Sequence, residues 1–320
     1  MKISVIIPAF NAENYIEECI QSVIENKQDN LEVIIINDGS IDRTAEIISS
    51  FKENFIKVIH TENQGQSAAR NIGISKSTGD YIIFLDSDDK LHKNALLRLT
   101  EEIITQKADV IFFESQVFFD DDSLSGKFNP NYDRNPTLEN KKFSGVDFFK
   151  HSIQINNYIV SPCLFIASKE AISGTTFKEG IIHEDNLFTT SILLGKNISV
   201  MCIKEKLHLR RVRHGSVMTQ LKNQKHLDGY HACINELISN PPLNSTLALE
   251  EYNTFLCHMT DCLKHTALEI INQYKYEIEQ MQRDHKTELH QARVDISVIK
   301  RSSSWRITAP LRKMKDLITR

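Results

Sequence analysis

Gly79-Asp80-Tyr81-Ile82-Ile83-Phe84-Leu85-Asp86-Ser87-Asp88-Asp89 carries an unbroken apolar run that stops on four polar residues. A continuous run, rather than an alternating one, is what a strand covered on both faces requires. The same kind of run occurs at Ile3–Ile7, Leu31–Ile36, Ile56–Ile59 and Val110–Phe113. Helical spacing lies between them. Ala12, Tyr15, Cys19 and Val23 share one face, as do Ala45, Ile48 and Phe51, and Leu96, Leu99 and Ile103. Asn11 and Ser40 stand where helix N-caps belong. Strand–helix alternation with short links predicts an α/β fold, a Rossmann-like, mostly parallel sheet with helices on both faces.

The whole chain of 320 residues is ordinary in composition, 41% hydrophobic and 25% charged. Its formal net charge of -4 offers no basic footprint for a nucleic-acid backbone. The six cysteines include no C-x-x-C pair, so they read as reduced, buried thiols rather than a zinc or redox site. No stretch approaches the ~18 apolar residues of a membrane span. MKISVIIPAF leads straight into a strand instead of a signal peptide, so the reading expects a cytoplasmic chain. In that compartment the sequons at Asn197 and Asn244 carry no meaning.

Beyond the alternating region, residues 120–145 are polar and rich in breakers, which predicts a long loop. A mixed region follows to 220, and Pro241-Pro242 marks a boundary. Leu249, Tyr252, Leu256, Met259 and Leu263, then Ile271, Tyr274, Ile278 and Met281, recur at helical spacing and predict a long helix or short coiled coil. The last segment is basic, with Lys300, Arg301, Arg306, Arg312, Lys313, Lys315 and Arg320 interleaved with Trp305, Ile307 and Leu311. It suits an anionic membrane surface or a docking helix. The expected organisation is one α/β domain over 1–220, in two halves at 1–115 and 116–220. A helical extension at 221–300, a route to a homo-oligomer, and a basic tail at 301–320 complete it.

Ligands of an open parallel sheet bind outside the carboxyl ends of its strands. Three polar clusters follow strands here: Pro8-Ala9-Phe10-Asn11, Asn37-Asp38-Gly39-Ser40 and Asp86-Ser87-Asp88-Asp89. No G-x-G-x-x-G follows the first strand and no Walker loop is present, so a bound phosphate needs another cation. Asp86 and Asp88, two hard carboxylates at i and i+2 past a buried strand, suit Mn²⁺ or Mg²⁺. Asp120-Asp121-Asp122 lacks that context and reads as a loop.

SVIIPAFNAENYIEECIQSV, EVIIINDGSIDRT, NQGQSAARNIGI and GDYIIFLDSDD, in this order across residues 3–89, resemble the family-2 inverting glycosyltransferases of GT-A fold. HEDNLF at 183–188 resembles the acidic catalytic motif of that family, and LHLRRVRHGSVMT at 207–219 resembles what often follows it in bacterial surface-polysaccharide enzymes. The resemblance implies a hexosyl- or N-acetylhexosaminyl-transferase working in capsule or O-antigen assembly, with a nucleotide-sugar donor, a UDP-sugar favoured. It further implies a glycan or lipid-linked acceptor and a place on the inner face of the plasma membrane. Carried over, Pro8, Ala9 and Phe10 line the base pocket, Asp38 accepts from the base, and Arg70 meets base or phosphate. Asp86 reaches the ribose or a metal-bound water, and Asp88 binds the metal. Asp185 is the general base, with Glu184 beside it. Arg211 and Arg213, with Arg210, form a diphosphate clamp or else a solvated basic face.

Two other readings compete. A sugar nucleotidyltransferase needs a Gly-rich N-terminal loop, which Ile7-Pro8-Ala9-Phe10-Asn11 is not. A non-catalytic scaffold would keep the fold and bind through its helical tail. A zinc-protease reading of His183-Glu184 fails because position 187 is Leu.

Overall fold

The computed structural model describes residues 1–128, 130–242 and 248–301. Its first half alternates as the apolar runs require: β1 (Ile3–Ala9), α1 (Ile16–Ile24), β2 (Leu31–Asp38), α2 (Thr44–Ser50), β3 (Ile56–Thr61), α3 (Gln66–Lys76) and β4 (Tyr81–Phe84). Then come β5 (Lys90–Leu91), α4 (Ala95–Gln106), β6 (Val110–Phe119), the single turn α5 (Asp122–Ser125), β7 (Lys142–Ser144) and α6 (Gly145–Gln154). The rest is β8 (Phe165–Ser168), the single turn α7 (Lys169–Ile172), α8 (Glu184–Gly195), β9 (Ser199–Val212), α9 (Gln224–Ser239) and α10 (Leu249–Arg301).

The described residues form one nine-stranded sheet, ordered β3-β2-β1-β4-β8-β6-β9-β5, with β7 also on β9. The β3-β2-β1-β4 half is parallel throughout. Past β4 the sheet is mixed: β8 runs antiparallel between β4 and β6, while β6 and β9 are parallel to each other. Alternate residues of the inner strands feed two cores. Ile6, Ile34, Ile36, Ile82 and Phe84 enter one. Val5, Ile7, Val33, Ile35, Ile83 and Leu85 enter the other. Helices therefore cover both faces, which is why the strands carry no polar face.

The N-cap expectation is corrected. Tyr15 and Arg43 occupy the cap positions of α1 and α2. Asn11 takes a left-handed backbone (φ 46°), and its side-chain oxygen accepts from the Ile41 N–H. The Asn11 N–H in turn donates to the Ser40 hydroxyl. These short polar side chains satisfy the backbone of the neighbouring loop instead of a helix end, and they stitch together the two loops that follow β1 and β2. The 120–145 stretch is also more ordered than a loop. It holds α5, capped by Asp121, then a 3-10 turn at Pro136–Leu138 and β7.

The chain divides into compact units at Met1–Thr266 and Ala267–Arg320. Within the first, α9 and the opening turns of α10 supply Cys233, Leu237, Tyr252, Phe255 and Met259 to the same core as β4 and β6. Those residues have already been claimed by the sheet domain, so the extension expected from 221 begins inside that unit. The second unit is described through 301 and is helical, with Leu268, Ile271, Tyr274, Ile278 and Met281 exposed. Among the described residues no helix is long and apolar enough to cross a membrane. The Asn244 sequon and the basic tail beyond Arg301, Trp305 included, lie outside the described residues.

Candidate functional site

The site gathers where β4 ends. Asp86 stands two residues past Phe84, the last residue of β4, and Lys90 of β5 pairs antiparallel with Leu209 of β9. That pairing lays the arginines of β9 along the acidic turn. Asp89 is fully buried: Oδ1 accepts from the Arg211 N–H at 2.8 Å and Oδ2 from Arg210 at 2.9 Å. His208 Nε2 stands 3.3 Å from the same carboxylate, and its ring Nδ1 lies 2.9 Å from the Ser115 hydroxyl. His208 is thus a structural residue of the buried network. Asp89 was not singled out from the sequence; its signal was only that the polar run after the strand is longer than a D-x-D needs.

Asp86 is saturated. Oδ1 accepts from Arg70 at 2.7 Å and from Gln66 Nε2 at 2.9 Å, and Oδ2 accepts from Arg210 at 3.0 Å. Burial alone would raise its pKa, but Arg70 and Arg210 outweigh that and hold it well below the usual carboxylate range. Asp88 differs. Arg213 Nε donates to its Oδ2 at 2.7 Å, while Oδ1 accepts nothing from the described residues. Burial, then the charges of Asp89 and Asp86, raise the Asp88 carboxyl above its ordinary value. A site that leaves one carboxylate oxygen open and under-compensated fits a divalent ion. Among the described residues no three His, Cys, Asp or Glu side chains are grouped to hold an ion by themselves. A Mg²⁺-type site needs only one or two carboxylates when phosphate oxygens supply the rest.

The arginines are neither a solvated face nor a free clamp. Arg211 stacks over Tyr15 (4.9 Å) and Phe118 (4.6 Å) and donates to Glu18, to Asp120 and to the Asp88 carbonyl. Asp120, read as a loop residue, is therefore a brace. Arg213 is the more open of the two, with 27% of its side chain exposed, and it lies over the Tyr15 ring.

On the base-pocket side, Pro8 and Ala9 are buried in β1, paired with Ile36 and Asn37, while the Phe10 ring is exposed. Asp38 is buried and accepts from the Thr61 hydroxyl and from the N–H groups of Gln64 and Gly65. It ties the turn that opens α3, and Oδ2, with one partner, keeps acceptor capacity. Gly39, at φ +72°, has to be glycine: a Cβ there would stand 2.7 Å from the Asn63 nitrogen.

Arg70 connects this edge to the far acidic pair. Its side chain is 4% exposed, donates to Asp86 on one side and to Glu184 Oε1 at 2.8 Å on the other, and lies 5.1 Å over Phe177. Asp185, the next residue, sits in the first turn of α8, where its Oδ1 accepts from the Asn186 N–H. Its carboxyl is pushed up to about 6, by burial first and by the Glu184 charge second, against the pull of Arg70. The structure thus brings Asp86, Arg70, Glu184 and Asp185 into one site, although 98 positions separate Asp86 from Glu184 by subtraction of their numbers.

The family profile described as Glycosyl transferase family 2 matches residues 4–172. The chain is 28% identical over 233 residues to glycosyltransferase GlyG of Streptococcus pneumoniae, covering 68% of this chain and 72% of that protein. It is 40% identical over 111 residues to GlyA of the same organism, and likewise to an uncharacterized glycosyltransferase EpsJ of Bacillus subtilis. Those two matches span only 16% and 32% of the relatives' own lengths. Among solved structures, residues 1–349 of S. aureus TarS in complex with UDP-GlcNAc superpose with a TM-score of 0.63 at 22% identity, over 82% of this chain and 72% of that one. That likeness shows a shared fold.

Proposed function

The chain belongs to glycosyl transferase family 2 and is a glycosyltransferase of GT-A fold, and from that premise we propose that it moves a sugar from a UDP-sugar to an acceptor hydroxyl with inversion. The observation that carries this reading is the single guanidinium of Arg70 spanning Asp86 and Glu184. It joins the donor-side turn to the acidic pair in one site.

In this reading Phe10 offers its ring to the base, and Asp38 offers Oδ2 to the base's N–H. Arg213 faces the diphosphate, with Arg211 held as a brace behind it. Asp88 Oδ1, with Asp86 beside it, would hold Mn²⁺ or Mg²⁺, which when bound would neutralise charge developing on the leaving nucleotide. Asp185, its carboxyl pushed up to about 6 by burial and by the Glu184 charge, takes the proton of the acceptor hydroxyl as its oxygen bonds to the anomeric carbon. The bond from that carbon to the diphosphate breaks in the same displacement and UDP leaves. Glu184, fixed by Arg70, orients the acceptor.

The UDP preference is supported by the UDP-GlcNAc bound to TarS. The surface-polysaccharide role, the lipid-linked acceptor and the cytoplasmic peripheral location belong to the same proposal. A melting screen of UDP-, dTDP- and GDP-sugars with and without Mn²⁺ tests it. A rise in Tm with a UDP-sugar only when metal is present is the expected result, since ligand stabilisation follows mass action. A rise with GDP-sugars alone, or equal rises without metal, would overturn the donor or the metal assignment respectively.

A further inference from the structure

The residues just before the acidic pair are held in an unusual way. His183 takes a left-handed backbone (φ 71°) and gives α8 no side-chain cap. A non-glycine residue keeps such a conformation only where its surroundings impose it. The surroundings are α9. Gly229 lies so close that an added Cβ would stand 2.4 Å from the Ile182 carbonyl oxygen. The Tyr230 ring stacks on the His183 imidazole at 3.9 Å and 19°. Cys233 Sγ–H donates to the His183 carbonyl at 3.2 Å. Gly229 and Cys233, at i and i+4 on one face of α9, and Tyr230 beside them thus bear on the two residues that lead into Glu184 and Asp185. Burial, with His226 nearby, pushes the His183 imidazole down to about 4, so a neutral ring is stacked there.

We propose that α9 is a clamp on the catalytic base: the Tyr230–His183 stack and the close approach of Gly229 hold Asp185 in place and keep water from its carboxylate. Tyr230 and Gly229 are then positioning residues. This rests on Asp185 being the base. Among the described residues, the ionisable groups whose charge is felt at Asp185 are Glu184 on its own helix, Arg70 from α3, Tyr158 ahead of β8, and Tyr230 and Cys233 from α9. Only Arg70 is a cation, and it favours the charged carboxylate. The start of α8 favours the same form, because a helix N-terminus attracts negative charge. What raises the carboxyl is therefore burial together with the charge of Glu184, and α9 packs on the two residues just ahead of that pair. The Tyr230 hydroxyl in turn lies against Cys262 of α10, so one aromatic ring links α10 to His183, two residues before Asp185.

The test is a ¹³C-carboxylate NMR titration of the full chain, with Asp185→Asn identifying the resonance. Asp185 should titrate alike in wild type and Tyr230→Phe, and about one unit lower in Tyr230→Leu, a tenfold change in acidity. UDP release from UDP-GlcNAc with Mn²⁺ should fall in Tyr230→Leu and be kept in Tyr230→Phe. If Tyr230→Leu does not fold, Gly229→Ala is read in its place, since its Cβ must push back the Ile182 carbonyl. An unchanged titration in the folded variant overturns the clamp. UDP release that survives Asp185→Asn would instead overturn the base assignment, whatever the titration shows.

Discussion

Arg70 and Glu184, 114 positions apart in the chain, meet at 2.8 Å with only 4% and 11% of their side chains exposed. The same guanidinium holds Asp86 at 2.7 Å. One planar cation therefore compensates two buried carboxylates from opposite ends of the site, a geometry that arginine's fork permits and lysine's point charge does not.

Arg70→Met strands Glu184 and leaves Asp86 to Gln66 and Arg210 alone. It should destabilise the protein by about 3–5 kcal/mol, because the cost is that of leaving buried charge uncompensated. Arg70→Lys can meet one partner and should fall between. Urea unfolding at pH 7 distinguishes the three proteins, and equal midpoints would show that Asp86 and Glu184 find other partners.

Asp88→Ala should leave the protein at least as stable as wild type, since it removes one of three crowded carboxylates. It should abolish the Mn²⁺-dependent part of the melting shift produced by a UDP-sugar. Retention of that part would place the metal elsewhere.

Asp185→Asn should lower transfer by about 10²–10⁴-fold, the usual contribution of a general base, and spare the donor-induced melting shift. Loss of donor binding in this variant would mean that the acidic pair belongs to the donor site.

The Asp185 carboxyl also predicts two pH dependences of opposite use. A base must be unprotonated, so turnover should decline as pH falls through about 6. For stability the raised value works the other way. Between the ordinary 3.8 and about 6 the folded protein holds a proton that the unfolded chain has lost, so stability falls as pH rises through that window. Asp185→Asn should accordingly be more stable than wild type by about 1–2 kcal/mol at pH 7.5 and not at pH 3.5. Denaturant midpoints at the two pH values check this.

Glu32 offers the contrasting case at the other end of the sheet. It is buried, and it accepts from Ser4, from the N–H and hydroxyl of Thr78, from the Gly79 N–H and from Lys2 and Lys57. Burial raises its pKa, but these donors together hold it well below its ordinary 4.5. Its contribution is present above that value and lost as pH falls below it. Glu32→Gln should cost about 3 kcal/mol at neutral pH and progressively less below pH 4.

The sheet's parallel half was legible in the chain because a strand covered on both faces must be apolar at every position, as Ile3–Ile7 and Tyr81–Leu85 are. The acidic turn was legible because Asp86 and Asp88 follow such a run directly, and covalent neighbours stay neighbours in the fold. The antiparallel β8 between β4 and β6 was not, because nothing local in Phe165–Ser168 states its partners or direction. Nor was the spending of the arginines: adjacent positions in a strand point to opposite faces, so Arg210 and Arg211 meet different groups, and only the β5–β9 pairing says which. The N-caps misled because Asn11 and Ser40 can satisfy a neighbouring loop as well as a helix end. The distance from Asp86 to the acidic pair, the partial burial of Asp185 and the ring that α9 lays on His183 all depend on contacts between residues far apart in sequence. Those contacts exist only once the two cores have packed.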